Sequence, residues 1–305
     1  IGTALQDYEE GKIVKHENTR EKPLTDRTNH IVASNVAAGL VWTVFQANEK
    51  INALIEQIKH KEPRFKFKKY GYYHLLWQET DPIIIQNLRD LFKNQNLYIA
   101  DGHHRAASAA EYRKIQLNNP GVDKNYEAPW QYLLSYVASD DQIRILSYNR
   151  VIKKLPLTES DFLKKLEKNF EIQFIENAFN PKKKNEMAIC LKGKWFKLTV
   201  KDTIFKTERD SLDVTILQDK VLEPILGITD PRSDENLFFV GGIQDPKEME
   251  KYVIEKGNDL IINLYPVNIR DLELIADKGG VMPPKSTWFD PKVLSGLVMY
   301  DLKES

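Results

Sequence analysis

Residues 96–112 read "NLYIADGHHRAASAAEY": an apolar run from Leu97 to Ala100 stops abruptly at Asp101-Gly102-His103-His104-Arg105, and an alanine-rich segment follows. Only a strand that ends in a tight turn and feeds directly into a helix accommodates that order. The apolar run supplies the buried strand, glycine supplies the turn, and alanine is the best intrinsic helix former. Such a junction collects the turn's N–H groups and the positive end of the helix dipole at one spot, which is an anion site and above all a phosphate site. His103, His104 and Arg105 add donors there, and arginine grips phosphate bidentately. Asp101 would repel that phosphate unless a divalent cation lies between them, so Mg²⁺ is expected with Asp101 as its ligand. The competing structural reading makes Asp101 a helix cap and the two histidines core hydrogen-bonding groups.

The rest of the chain predicts an α+β protein, because strands and helices intermix without a regular βα repeat. "DPIIIQNLRDLFKN" starts a helix at Asp81 as cap and Pro82 in first position. "NEKINALIEQIKH" is a second helix, and "RFKFKKYGYYHLLW" alternates as strands do. Residues 116–129 are turn-rich and read as a loop or lid. "WQYLLSYVASDDQIRILSYNRVI" reads as two strands joined at Asp140-Asp141, and "MAICLKGKWFKLTV" as a hairpin around Gly193-Lys194. Helical patterns cover "SLDVTILQDKVLEPILGI" and "NIRDLELIADKGG". Two regions are expected, 1–128 and 129–305.

At 305 residues, 42% hydrophobic and 29% charged, the chain is long and apolar enough to bury a sizeable core. Lys+Arg and Asp+Glu both number 44, so no net charge draws it to nucleic acid or membrane. A single cysteine, Cys190, excludes an internal disulfide framework and any multi-cysteine metal site. No apolar run reaches the ~18 residues of a membrane span. The expectation is a cytoplasmic enzyme or binding protein acting on small molecules. The chain opens on Ile1 rather than Met, which points to sequence upstream.

Three further clusters carry chemistry. "HENTREKPLTDR" (16–27) gathers His16, Glu17, Arg20 and Arg27 in a loop-like region: either an exposed charged loop, or a carboxylate base, Glu17, among cations. In "GGVMPPKSTWFDPK" (279–292), two prolines stiffen the approach to Lys285, Ser286 and Thr287. That turn either displays a cation and two hydroxyls to an anion or simply leads into the last strand. "GITDPRSDENLFFVGG" (227–242) combines Asp230, Arg232 and Asp234 and reads more simply as a surface loop. There is no Gly-x-Ser-x-Gly elbow, zinc helix or dinucleotide fingerprint.

"DYEEGKIVKHENTREKPLTDR", "YIADGHHRAASAAEY", "LDVTILQDKVLEPILGI" and "GGVMPPKSTWFDPKVLSGLVMYDL", in that order, resemble the ParB-like domain-of-unknown-function family DUF-1015. The resemblance covers nearly the whole chain and implies additional sequence before Asp7-Tyr8-Glu9. Asp-Gly-His-His-Arg is also the phosphate motif of the ParB/sulfiredoxin superfamily, which implies a nucleotide-binding core of that type with an additional α/β substrate domain. Within it, free serine kinases pair the motif with an upstream His-Glu and a downstream Pro-Pro-Lys-(Ser/Thr)-Thr, and this chain has all three. That likeness implies transfer of a phosphoryl group from ATP or ADP, with Mg²⁺, to free L-serine. Glu17 would be the base and Asp101 a catalytic metal ligand. Gly102, His103, His104 and Arg105 would hold the nucleotide, and His16, Arg20, Lys285, Ser286 and Thr287 the amino acid. The long segment between Glu17 and Asp101 implies an insertion. A nucleotide-binding ParB-like regulatory module without kinase activity is the alternative that the same resemblance allows.

Overall fold

Val41–Phe45, "VWTVF", is β-branched and aromatic throughout, and all five residues are buried. That composition suits a strand covered on both faces, and it lies at the centre of a five-stranded sheet. In the computed structural model, which describes residues 1–122, 127–290 and 292–303, the chain divides into two compact units. The first comprises Ile1–Lys15, Thr19–Ile143 and Val293–Ser305, and the second His16–Asn18 and Arg144–Lys292.

In the first unit the sheet order is Gly2–Ala4, Tyr132–Ser139, Val41–Phe45, Leu97–Asp101, Ile13–Val14. Val41–Phe45 runs parallel to Tyr132–Ser139 and antiparallel to Leu97–Asp101, with a register shift between Trp42 and Thr43. Helix His103–Leu117 presents Ala106 and Ala110 to this sheet, joining a core with Leu5, Phe45, Ile51 and Ile99. The small alanines let helix and sheet approach closely. Helix Glu49–Lys59 is capped by Asn48, and helix Pro82–Phe92 by Asp81, whose Oδ1 accepts from Ile83 N at 2.8 Å. Phe65–Lys69 and Tyr72–Leu76 form a separate two-stranded hairpin.

The second unit is built on a six-stranded, wholly antiparallel sheet: Phe170–Ile175, Lys194–Val200, Glu186–Leu191, Leu260–Leu264, Tyr148–Ile152, Leu237–Gly241. Trp195, Met249, Val253 and Ile261 pack with Cys190 in its core. Burial pushes the Cys190 thiol up to about 11, so it is an inert packing residue. Among the described residues, no helix is long and apolar enough to cross a membrane.

The α+β architecture agrees with the sequence reading, and two local expectations, the hairpin turn and residues 21–34, are corrected. Strands do lie on either side of Asp140-Asp141, at 132–139 and at 144–146 and 148–152; the 132–139 strand pairs with Gly2–Ala4 and Val41–Phe45, and 148–152 with Leu237–Gly241 and Leu260–Leu264. The compact units change over at 143/144, and 293–303 returns to the first unit. The hairpin turn is Lys192-Gly193, both at positive φ, one residue earlier than expected. Residues 21–34, of which 21–27 read as loop-like, are helix, anchored by buried Ile31. The 116–129 stretch includes 123–126, and the 279–292 stretch includes 291; these positions lie outside the described residues.

Candidate functional site

Buried Leu97, Tyr98, Ile99 and Ala100 fix the strand in the first unit, and its last residue, Asp101, emerges half-exposed at the strand's C-terminal end. Gly102 follows at φ +105°, and helix His103–Leu117 begins at once; Ala106 N donates to Gly102 O at 3.0 Å to close the first turn. The N–H groups of His103, His104 and Arg105 are therefore first-turn donors. The helix starts at His103, three residues before the first alanine, because the turn is made by Gly102 alone.

Arg105 folds back over this turn. Its Nη2 lies 3.7 Å from Asp101 Oδ1, and its Nε has no acceptor within the described protein. Burial lowers its pKa, Asp101 counters that effect, and Arg27 adds to it as a like charge. A Cβ on Gly102 would stand 2.9 Å from Nε and Nη2 of Arg105, and one on Gly39 would stand 3.1 Å from Arg105 Cδ. Glycine at 102 is thus required twice, by backbone conformation and by the guanidinium above it. Gly102→Ala is expected to destabilise the fold by about 1–3 kcal/mol and to push Arg105 off the turn. Urea denaturation and nucleotide titration of the variant measure the two effects.

The two histidines play unlike parts. His103 is buried, which pushes its pKa down to about 4 against the smaller opposing pull of Asp101. It is neutral at physiological pH and acts as a hydrogen-bonding group rather than a cation. His104 Nε2 accepts from Arg20 N at 3.0 Å, pinning the segment that enters helix Glu21–Ser34. That helix brings Asp26, Arg27 and His30 to a cavity of about 500 Å³, shared with Arg105, Ser108, Tyr112 and Trp130. The sequence reading lacked His30 and Trp130; once 21–34 is helical, the spacing Asp26-Arg27-His30 places them on one side.

The His103 shift has a consequence for stability. The unfolded chain takes up this proton near pH 6.5, the folded chain only near 4. Stability contributed by neutral His103 is complete above about 6.5 and is lost as pH falls toward 4. His103→Gln is expected to flatten the acid limb of a plot of urea midpoint against pH across that window.

In the second unit, the short piece His16–Asn18 is held by Met282 N, which donates to His16 O at 2.9 Å. The Asp230 carboxylate takes Arg232 Nε at 3.0 Å and Nη2 at 3.4 Å. It holds that guanidinium above its usual range, and the charge of Glu17 acts in the same direction with smaller effect. His16-Glu17, the Pro-Pro turn and the Asp230–Arg232 pair all belong to this unit, the last on an exposed turn. Lys285 is exposed at φ +55°, its carbonyl accepting from Arg150 Nη2 at 3.0 Å and its Nζ lying 5.2 Å from the Tyr148 ring centre. Ser286 departs from the expected displayed hydroxyl: it is buried and donates to Pro283 O, stiffening the turn from inside. Thr287 is half-buried. Arg150, buried in the strand Tyr148–Ile152, was missed; its signal is a cation at an inward position of "YNRVI".

Among the described residues, no group of three or more His, Cys, Asp and Glu gathers as a metal cage. The Asp101 carboxylate is the acidic side chain of the turn itself, 3.7 Å from the Arg105 guanidinium.

No curated protein matches the chain in sequence. Solved structures of similar outline include a free serine kinase in complex with AMP, at 14% identity and a TM-score of 0.47, with 99% of this chain and 91% of that one covered. A conserved hypothetical protein from Pyrococcus furiosus aligns at 15% identity and a TM-score of 0.45, covering 99% and 95% of the two chains. C-terminally truncated SbnI from Staphylococcus aureus aligns at 12% and 0.48, covering 97% and 85%. The family described as "Protein of unknown function (DUF1015)" matches residues 1–215, a stretch that contains both the His16-Glu17 pair and the Asp101–Arg105 turn, and this chain belongs to that family.

Proposed function

We propose that the protein is a nucleotide-dependent small-molecule kinase that transfers a phosphoryl group from ATP or ADP to free L-serine, giving O-phospho-L-serine. The observation that carries this reading is the Asp101–Arg105 turn. A left-handed glycine joins a buried strand end to a helix N-terminus, with an arginine folded beside it and a cavity of about 500 Å³ alongside. This is how backbone N–H groups and a guanidinium are assembled to hold phosphates.

In this reading the first unit binds nucleotide through Gly102, the first-turn N–H groups and Arg105. Asp101 would hold Mg²⁺, which when bound neutralises phosphate charge. His104 keeps the Arg20 segment in place, and His103 stays neutral. Glu17 would act as general base, while His16 and the Lys285–Thr287 turn would serve the amino acid. Glu17 accepts the serine hydroxyl proton as that oxygen bonds to the terminal phosphorus. The bond from phosphorus to the bridging oxygen breaks, and the nucleotide leaves one phosphate shorter.

The test is incubation of pure protein with ATP or ADP, Mg²⁺ and a panel of hydroxyl compounds, followed by phosphorus NMR. O-phosphoserine formed only when serine is present is the expected result. Nucleotide binding with no phosphorylated product from any acceptor overturns the kinase reading in favour of a regulatory nucleotide-binding module.

A further inference from the structure

The hairpin of Phe65–Lys69 and Tyr72–Leu76 in the first unit supplies no residue to the site described above. Among the described residues it pairs with no other strand, and its register sets Lys66 opposite Leu75, Phe67 opposite His74 and Lys68 opposite Tyr73. A two-stranded hairpin by itself is marginal in water, and this one is held at its foot and its middle. Trp77 Nε1 donates to Lys61 O at 2.8 Å, Lys61 Nζ reaches Glu79 at 2.6 Å, and the Phe67 and His74 rings stack with centres 5.0 Å apart. The other rings face water: Tyr72 is 71% and Tyr73 68% exposed, and Phe65 and Tyr70 are exposed beside them. Large exposed rings gathered on one small element mark a contact surface.

Charge says what the contact is with. The chain as a whole is neutral, with 44 cationic and 44 acidic side chains, yet the stretch from Arg64 to Trp77 holds Arg64, Lys66, Lys68 and Lys69 and no carboxylate. All four cations are exposed, and they lie against rings: Arg64 is 5.7 Å from the Phe65 centre, Lys66 and Lys68 are 5.7 and 5.6 Å from Tyr73, and Lys69 is 5.2 Å from Tyr70. Residues opposite each other on paired strands share a face. One face therefore carries Lys66, Lys68, Tyr73 and Leu75, and the other Lys69 and Tyr72 beside the stacked pair. Cation and ring stand side by side on both.

That mixture selects among partners. A second copy of the chain would meet like charge, and lysines along an edge discourage strand pairing. A lipid surface needs an apolar face with the cations on the opposite one, and neither face here is free of lysine. Duplex nucleic acid offers phosphates but keeps the faces of its bases stacked on one another. A single strand offers both phosphates and open base faces. Lys66 and Lys68 are also separated by about 7 Å along the strand, the order of the spacing between phosphates in an extended single strand.

We infer that this hairpin is a docking arm for single-stranded nucleic acid, with Lys66 and Lys68 on successive phosphates and Tyr73 stacked on a base. The inference stands apart from the kinase reading, since no residue is shared.

The test is fluorescence anisotropy on the whole protein with labelled oligothymidylate and oligouridylate of about twenty nucleotides, against a duplex of the same length and phosphatidylserine vesicles. Both single strands are expected to bind, and the tighter of the two tells DNA from RNA as the source. Affinity should fall with salt on a log–log slope of about −1.4 to −2.8, for two to four phosphate contacts. Lys66→Gln with Lys68→Gln should reduce the magnitude of that slope by about 1.4. Tyr73→Ala should weaken binding about five- to a hundredfold at unchanged slope. Should the alanine disturb the hairpin, Tyr73→Phe, which keeps the stacking face, is expected to bind like the parent. Excess ADP should leave the oligonucleotide bound. The proposal is overturned by no binding of either single strand at about 50 mM salt, by displacement with ADP, by preference for the duplex or the vesicles, or by lysine variants that bind like the parent.

Discussion

Glu17→Gln is expected to slow phosphoryl transfer to serine by roughly a hundred- to ten-thousandfold while leaving nucleotide affinity close to that of the parent protein. The amide keeps the shape of the side chain and removes the basic oxygen, so only the proton-accepting step is lost. The Glu17 charge also bears on Arg232. Its guanidinium is held above its usual range mainly by Asp230 and in part by Glu17, and neutralising Glu17 removes the second contribution. Arg105→Ala should show the opposite pattern, with nucleotide binding impaired first, because that side chain lies over the Asp101–Gly102 turn in the first unit. Single-turnover kinetics paired with nucleotide calorimetry separates the two effects. A Glu17→Gln protein that phosphorylates serine at nearly the parent rate removes Glu17 as the base.

Phe45→Ala is expected to cost about 3–5 kcal/mol of stability, a large share of the 5–15 kcal/mol typical of a domain. Phe45 ends the central strand fully buried, packs among Leu5, Ile51, Ile99 and Leu133, and meets the Phe92 ring edge-on with centres 5.1 Å apart. Strand, sheet and helices converge on that ring, so the space left behind cannot be closed by one neighbour moving. A urea titration should show a lower midpoint for the variant. Ile83→Ala is the matched control: Ile83 lies on the exposed face of helix Pro82–Phe92, and its loss should stay within about 0.5 kcal/mol.

The parts of the fold that were legible in sequence are those decided by neighbours along the chain. An apolar run broken by Asp101-Gly102 can only leave a sheet, and Asp81-Pro82 can only open a helix, because backbone sterics and capping act over a few residues. Helix Glu21–Ser34 was illegible for a related reason. Ile31 is its one buried residue, so no apolar stripe marks it, and its helicity follows from packing near Tyr112 and Trp130. The destinations of the strands flanking Asp140-Asp141 were equally hidden, since Tyr132–Ser139 pairs with Gly2–Ala4 far away in sequence. At the candidate site, the residue types were visible, but their uses were not. Ser286 looked like a displayed hydroxyl and spends it on Pro283, while Arg150 looked like one more strand residue and is a buried cation.

The interleaving of the two units sets an order on the ribosome. Tyr300–Asp301 pairs with Val36–Ala37, Leu302 N donates to Asn35 O at 2.9 Å, and the Leu302 side chain packs against Ile31, Tyr112 and Trp130. Ser295 and Leu302 also wall the cavity that holds Arg105. Synthesis therefore delivers the Asp101–Arg105 turn early and the residues that close the cavity beside it last, after the whole of the second unit has emerged. A nascent chain can present the turn long before it can enclose a ligand, so the cavity is complete only when translation of residues 293–303 is complete.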